Sequence, residues 1–204
     1  LHNCSGKHTG MMSLARFLES PVAGYSDYHH QTQQHWMNAL ADLSGIDVRK
    51  LPWDRDGCGL PALAMPLRYF AATLAQYCAL ETQPSTRAQA MNDILIAMHD
   101  HPDMVAGTDR CCTATMKAHK DLVVKTGAEG VFAAIAPSAG IALALKIDDG
   151  ATRAADAALG AVLKRLGVLS ADEYDSLKRW YAPDITNSQN VVTGRLAAAA
   201  VWDA

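Results

Sequence analysis

Through the first 118 residues, apolar positions recur at helical spacing; beyond them the pattern becomes alternation. Met11, Leu14, Ala15 and Leu18 predict a helix over about 7–18, broken by Pro21 and Gly24. Trp36, Leu40 and Leu43 predict a second over about 27–43, with Gly45 as its stop. Residues 51–61, rich in Pro, Asp and Gly, read as a loop. Leu67, Phe70, Ala71, Leu74 and Cys78 form the apolar stripe of a third helix over about 66–79. Ser85, directly after Pro84, is expected to cap a fourth that carries Met91, Ile94, Leu95 and Met98. A short helix over about 110–118 holds Cys111 and Cys112.

Three segments then read as strands: 121–126, 130–136 and 140–148. In the last, Ile141, Leu143, Leu145 and Ile147 alternate with Ala142, Ala144, Lys146 and Asp148, as in a sheet with one side more buried. Short connections predict antiparallel neighbours. Helices are expected over about 152–166 and 171–181, then an apolar tail. Helices first, then a small meander with a covering helix, define an α+β class. The expected organisation is mainly helical to about 118, and sheet plus helices over about 119–204.

Composition narrows the functional classes. The 204 residues are half apolar, enough to bury a core. A net charge of −3 offers no basic field for nucleic acid or an anionic membrane. No apolar run reaches the ~18 residues of a membrane span. The five cysteines are odd in number and irregularly spaced, with one adjacent pair. That pattern fits reduced thiols in a cytoplasmic enzyme better than a disulfide scaffold.

Candidate chemistry concentrates in short segments. Cys4 and Lys7 stand three apart where a glycine-flanked loop enters the first helix, so both can face one side. A thiol at a helix start beside an ammonium has a lowered pKa, and its thiolate is both nucleophile and metal ligand. The pair reads equally as a structural cysteine beside a solvated lysine. Cys58 lies between Gly57 and Gly59, on a backbone able to turn sharply and approach a ligand. Cys78 reads as core. His29, His30 and His35 lack a metal-protease spacing and read as surface or capping residues. His99 and His101 flank a helix end, where the dipole favours imidazolium. Lys125-Thr126-Gly127 ends a predicted strand; such a triplet recurs in serine hydrolases related to β-lactamases. Those enzymes also use a Ser-x-x-Lys nucleophile, and no serine in this chain has a lysine three positions later.

Four motifs taken together carry a resemblance: Asn-Cys-Ser-Gly-Lys-His-Thr-Gly-Met at 3–11, Asp-Gly-Cys-Gly-Leu-Pro at 56–61, His-Pro-Asp-Met-Val-Ala-Gly at 101–107 and Lys-Thr-Gly-Ala-Glu-Gly-Val at 125–131. Ala-Leu-Lys-Ile-Asp-Asp-Gly at 144–150 extends it. In these the chain resembles the bacterial L-asparaginase II family of the Rhizobium etli type. The resemblance implies a fold similar to serine β-lactamases and class A glutaminases, with this chain as the C-terminal portion of one catalytic domain. It implies hydrolysis of L-asparagine to L-aspartate and ammonia, by a Ser-Lys mechanism with a nearby zinc site, in a cytoplasmic homodimer. Cys4, Lys7 and Cys58 are the implied zinc ligands, with Cys112 and His8 near the metal. Lys125 is the implied catalytic lysine, and Asp56, Thr126 and Glu129 the implied substrate contacts. The family's Ser-x-x-Lys pair is expected upstream of Leu1, so the N-terminal part of the domain is expected to be missing. Arg55 departs from the apolar residue usual before Asp56.

Two other readings stay open: Cys4 as nucleophile with Lys7 as its base and no metal, or an inactive zinc-binding fragment. A zinc-bound lysine must be neutral; moving its pKa from ~10.4 to about 7 costs on the order of 4–5 kcal/mol. Two thiolates and the metal charge could supply that locally.

Overall fold

The computed structural model describes residues 4–199; Asn3 of the opening motif and residues 200–204 of the tail lie outside them. The chain forms two compact units, Leu1–Thr73 and Leu74–Ala204.

In the first unit, α1 (Ser5–Phe17) packs on α2 (Gln31–Ser44). His30 starts α2. Its Nδ1 accepts the Thr32 N–H at 3.2 Å and its Nε2 lies 2.8 Å from the Pro21 carbonyl oxygen, so the ring caps the helix and also ties down the preceding loop. Gly45, at φ 71°, ends α2 in the left-handed conformation glycine favours. The predicted loop at 51–61 contains a hairpin, β1 (Trp53–Arg55) and β2 (Pro61–Leu63), paired Trp53 with Leu63 and Arg55 with Pro61. Three-residue strands with an exposed β1 leave no alternation to read.

α3 (Leu67–Ala75) spans the division between the units. It gives way to a 3-10 turn, Gln76–Cys78, earlier than the apolar stripe predicts. The second unit continues with α4 (Ser85–Asp100), α5 (Pro102–Ala106) and α6 (Cys111–Ala118). Pro84 holds the cap position of α4, and Ser85 is its first helical residue. This corrects the expected Ser85 cap: Pro84 has no side-chain acceptor, and Ser85 already has helical geometry.

The three predicted strands form one antiparallel sheet, β3 (Val123–Thr126), β4 (Val131–Ala136) and β5 (Ile141–Lys146), in that order. Lys125 pairs with Ala133 and Ala133 with Ala144. α7 (Thr152–Arg165) covers the sheet, and Val124, Phe132, Leu159, Leu163 and Tyr181 are all but sealed from solvent. α4, α5 and α6 also contact β3 or its neighbours, so the compositional change near residue 118 falls inside the second unit. The single helix predicted at 171–181 is two, α8 (Ala171–Ser176) and α9 (Lys178–Tyr181), parted where Leu177 turns into the core. The tail forms a further hairpin, β6 (Asp184–Thr186) and β7 (Val192–Arg195). The chain is thus of the α+β class.

Candidate active-site groups

In the first unit, Cys4 immediately precedes α1 and Lys7 lies in its first turn. The turn between β1 and β2 brings Cys58 to them. Asp56 builds that turn: its Oδ1 accepts the Cys58 N–H at 2.7 Å, its own N–H donates to the Leu60 carbonyl, and its carbonyl accepts the Gly59 N–H. Gly59 sits at φ 88°. The other carboxylate oxygen, Oδ2, accepts from Lys7 Nζ at 2.8 Å. The Cys58 side chain is also hydrogen-bonded to Asp56, Lys7 and Cys4. The structure therefore brings Cys4, Lys7, Asp56 and Cys58 into one cluster. His8 turns elsewhere; its Nδ1 meets the Tyr25 hydroxyl at 2.7 Å.

Charge within this cluster is strongly biased. Burial would lower the Lys7 pKa, but hydrogen bonds and charge from Asp56 and Cys58 push it up to about 12. Burial would raise Asp56, yet hydrogen bonds from Cys58 and Lys7 hold it well below the carboxylate range. Burial, then the carboxylate of Asp56, push the Cys58 thiol up. Lys7 is thus an ammonium ion and a poor base for Cys4. Both Asp56 oxygens are engaged, Oδ1 within the turn and Oδ2 by Lys7. Among the described residues, no three His, Cys, Asp or Glu groups converge to hold a metal. A metal at this cluster would therefore need Lys7 beside the two thiols, with the Lys7–Asp56 pair opened. Two soft thiols and a nitrogen are a donor set zinc accepts.

In the second unit, Lys125 and Thr126 end β3. Lys125 lines a small cavity of about 160 Å³ with Tyr77, Ile94, Met98 and Ala133, and its ammonium donates to the Thr126 carbonyl. Burial pushes the Tyr77 hydroxyl up, which keeps it neutral. The Thr126 N–H donates to Cys112 Sγ at 3.2 Å, and its hydroxyl to the Gly127 carbonyl at 3.3 Å. Glu129 is exposed in the turn that follows, at φ 55°. Gly130, at φ 68°, has no room for a side chain: a Cβ would lie 2.8 Å from Ile147 Cβ. Cys78 is packed against the core and donates to the Ile141 carbonyl at 3.5 Å.

Sequence reasoning missed the Asp56 turn, Tyr77, and a network below α6. In that network Cys111 is hydrogen-bonded to Asp156 and lies 3.9 Å from the Thr115 hydroxyl, which meets the Tyr181 hydroxyl at 2.6 Å. The one signal was Asp156 itself, a charge among the alanines of α7. Cys111, Thr115 and Tyr181 are buried and Asp156 is half-buried, and burial pushes both the Asp156 carboxyl and the Cys111 thiol up.

The chain belongs to the L-asparaginase II family, whose model matches residues 1–198. That family consists of amidohydrolases with asparagine as their small-molecule substrate. No curated protein matches the chain. Among the described residues no helix is long and apolar enough to cross a membrane.

Proposed function

We propose that this chain supplies part of an active site that hydrolyses L-asparagine to L-aspartate and ammonia, in the manner of the Rhizobium etli type. The observation that carries the proposal is Lys125-Thr126-Gly127 at the end of β3, in a chain of the L-asparaginase II family. A serine with its own paired lysine, expected upstream of Leu1, attacks the side-chain amide carbon. Lys125 moves a proton to the departing ammonia or holds the developing anion. Water then hydrolyses the aspartyl ester and frees the serine. Thr126 and Glu129 contact substrate from the β3–β4 turn. Asp56 holds the turn that presents Cys58.

Cys4, Lys7 and Cys58 would hold a zinc ion. Zinc would supply a positive centre that orients the substrate. The Lys7 ammonium on Asp56 disfavours the rival reading in which Lys7 activates Cys4. The same proposal takes the working enzyme as a cytoplasmic homodimer.

The test is ammonia release from L-asparagine by the natural full-length protein. Lys125→Met should lower kcat by roughly 10²-fold or more. Cys4→Ala should lose zinc and raise KM while leaving ammonia release measurable. Full activity in Lys125→Met would refute the role of Lys125. Abolished turnover in Cys4→Ala, together with rapid inactivation of the zinc-free parent by a thiol reagent, would move the nucleophile to Cys4.

A further inference from the structure

The site proposed above assigns Lys125 and Thr126 to substrate but leaves open what fixes them. We infer that Cys112 is the positioning residue that holds the end of β3, and with it Lys125, in place. The inference rests on the asparaginase reading only for its effect on turnover.

The strand order β3-β4-β5 leaves β3 on an edge. In an antiparallel ladder alternate residues turn their N–H and C=O groups to the partner strand. Gly127 donates to the Val131 carbonyl at 2.7 Å, so Thr126 faces the other way, off the open side of the sheet. There its N–H meets the sulfur of Cys112 at 3.2 Å. Cys112 is 1% exposed, so water does not compete at the sulfur. The Thr126 carbonyl accepts the Lys125 ammonium. One residue thus has its N–H on the thiol and its carbonyl under the lysine. A peptide that rotates at Thr126 displaces the ammonium with it.

Cys112 can serve as an anchor because α6 is itself held on its other sides. Cys111 is tied to Asp156 and, through Thr115, lies in the Tyr181 network. Thr113 donates to the carbonyls of Pro102 and Gly107 at 3.2 and 2.6 Å. Adjacent residues on a helix point about 100° apart, so the Cys-Cys pair grips the α7–α9 side with one thiol and β3 with the next.

Amide hydrogen exchange at Thr126 in the full-length protein, read beside steady-state kinetics, tests this. Cys112→Ala should speed exchange at Thr126 by about tenfold, the worth of one hydrogen bond, and leave the β4–β5 amides protected. It should also lower kcat for asparagine with little change in KM. Cys112→Ser keeps an acceptor and should restore most of both. Unchanged Thr126 exchange in Cys112→Ala, or a uniform loss of protection over the whole sheet with no rescue by serine, would overturn the inference. If the parent protein releases no ammonia, the asparagine reading falls, and the exchange measurement still decides whether Cys112 positions β3.

Discussion

Asp56 shows how much one side chain can organise. One carboxylate oxygen closes the turn on Cys58 and the other holds Lys7. Asp56→Asn should keep the turn and weaken the hold on Lys7. Zinc uptake, measured by dialysis and metal analysis, should then rise or hold, because the competing ion pair is weaker; a complete loss of uptake would instead make Asp56 a ligand. Gly160 is the opposite case, a residue defined by the space it leaves. A Cβ there would lie 2.2 Å from Cγ of Tyr181. Gly160→Ala should destabilise by about 1–3 kcal/mol, read from urea unfolding. Cys4, Lys7 and Cys58 were legible as candidates because glycine-flanked loops and close spacing are local features. The Thr126–Cys112 bond and the Gly160–Tyr181 contact were not, since each joins residues that only packing brings together.

Among the elements, periodicity found every helix of eight or more residues and the three-stranded sheet. It missed both hairpins, whose strands are three or four residues long and mostly exposed. It also ran α8 and α9 together, because Leu177 keeps the apolar rhythm while leaving helical geometry. α8 carries a full capping box. The Ser170 hydroxyl accepts the Glu173 N–H, and Glu173 Oε2 accepts the Ser170 N–H at 2.8 Å. Ser170→Ala should cost about 1 kcal/mol of stability. The hydrogen bonds from the Ser170 side chain and backbone hold the Glu173 carboxyl below its ordinary value near 4.5. A carboxyl lowered on folding adds stability above its unfolded pKa and loses it as pH falls through the folded value. The stability gap between the parent and Glu173→Gln should therefore be full at neutral pH and close in the acid range below about 4.5. A gap of constant size down to strong acid would show that the ionised carboxylate contributes nothing.

For the whole molecule, α+β order and four spaced motifs in the sequence point the same way, and the family match over residues 1–198 agrees. The two compact units divide the chemistry: a thiol-lysine cluster in Leu1–Thr73 and the Lys-Thr-Gly strand end in Leu74–Ala204. The division at Thr73/Leu74 was not legible, because the helical pattern continues through α3 without a composition change. The most direct measurement of the central claim is the paired appearance of ammonia and aspartate when the natural full-length protein is incubated with L-asparagine. The account predicts that the two form in equal amounts and that Lys125→Met forms neither at a comparable rate. Ammonia without aspartate, or no product beyond the uncatalysed background, would contradict it.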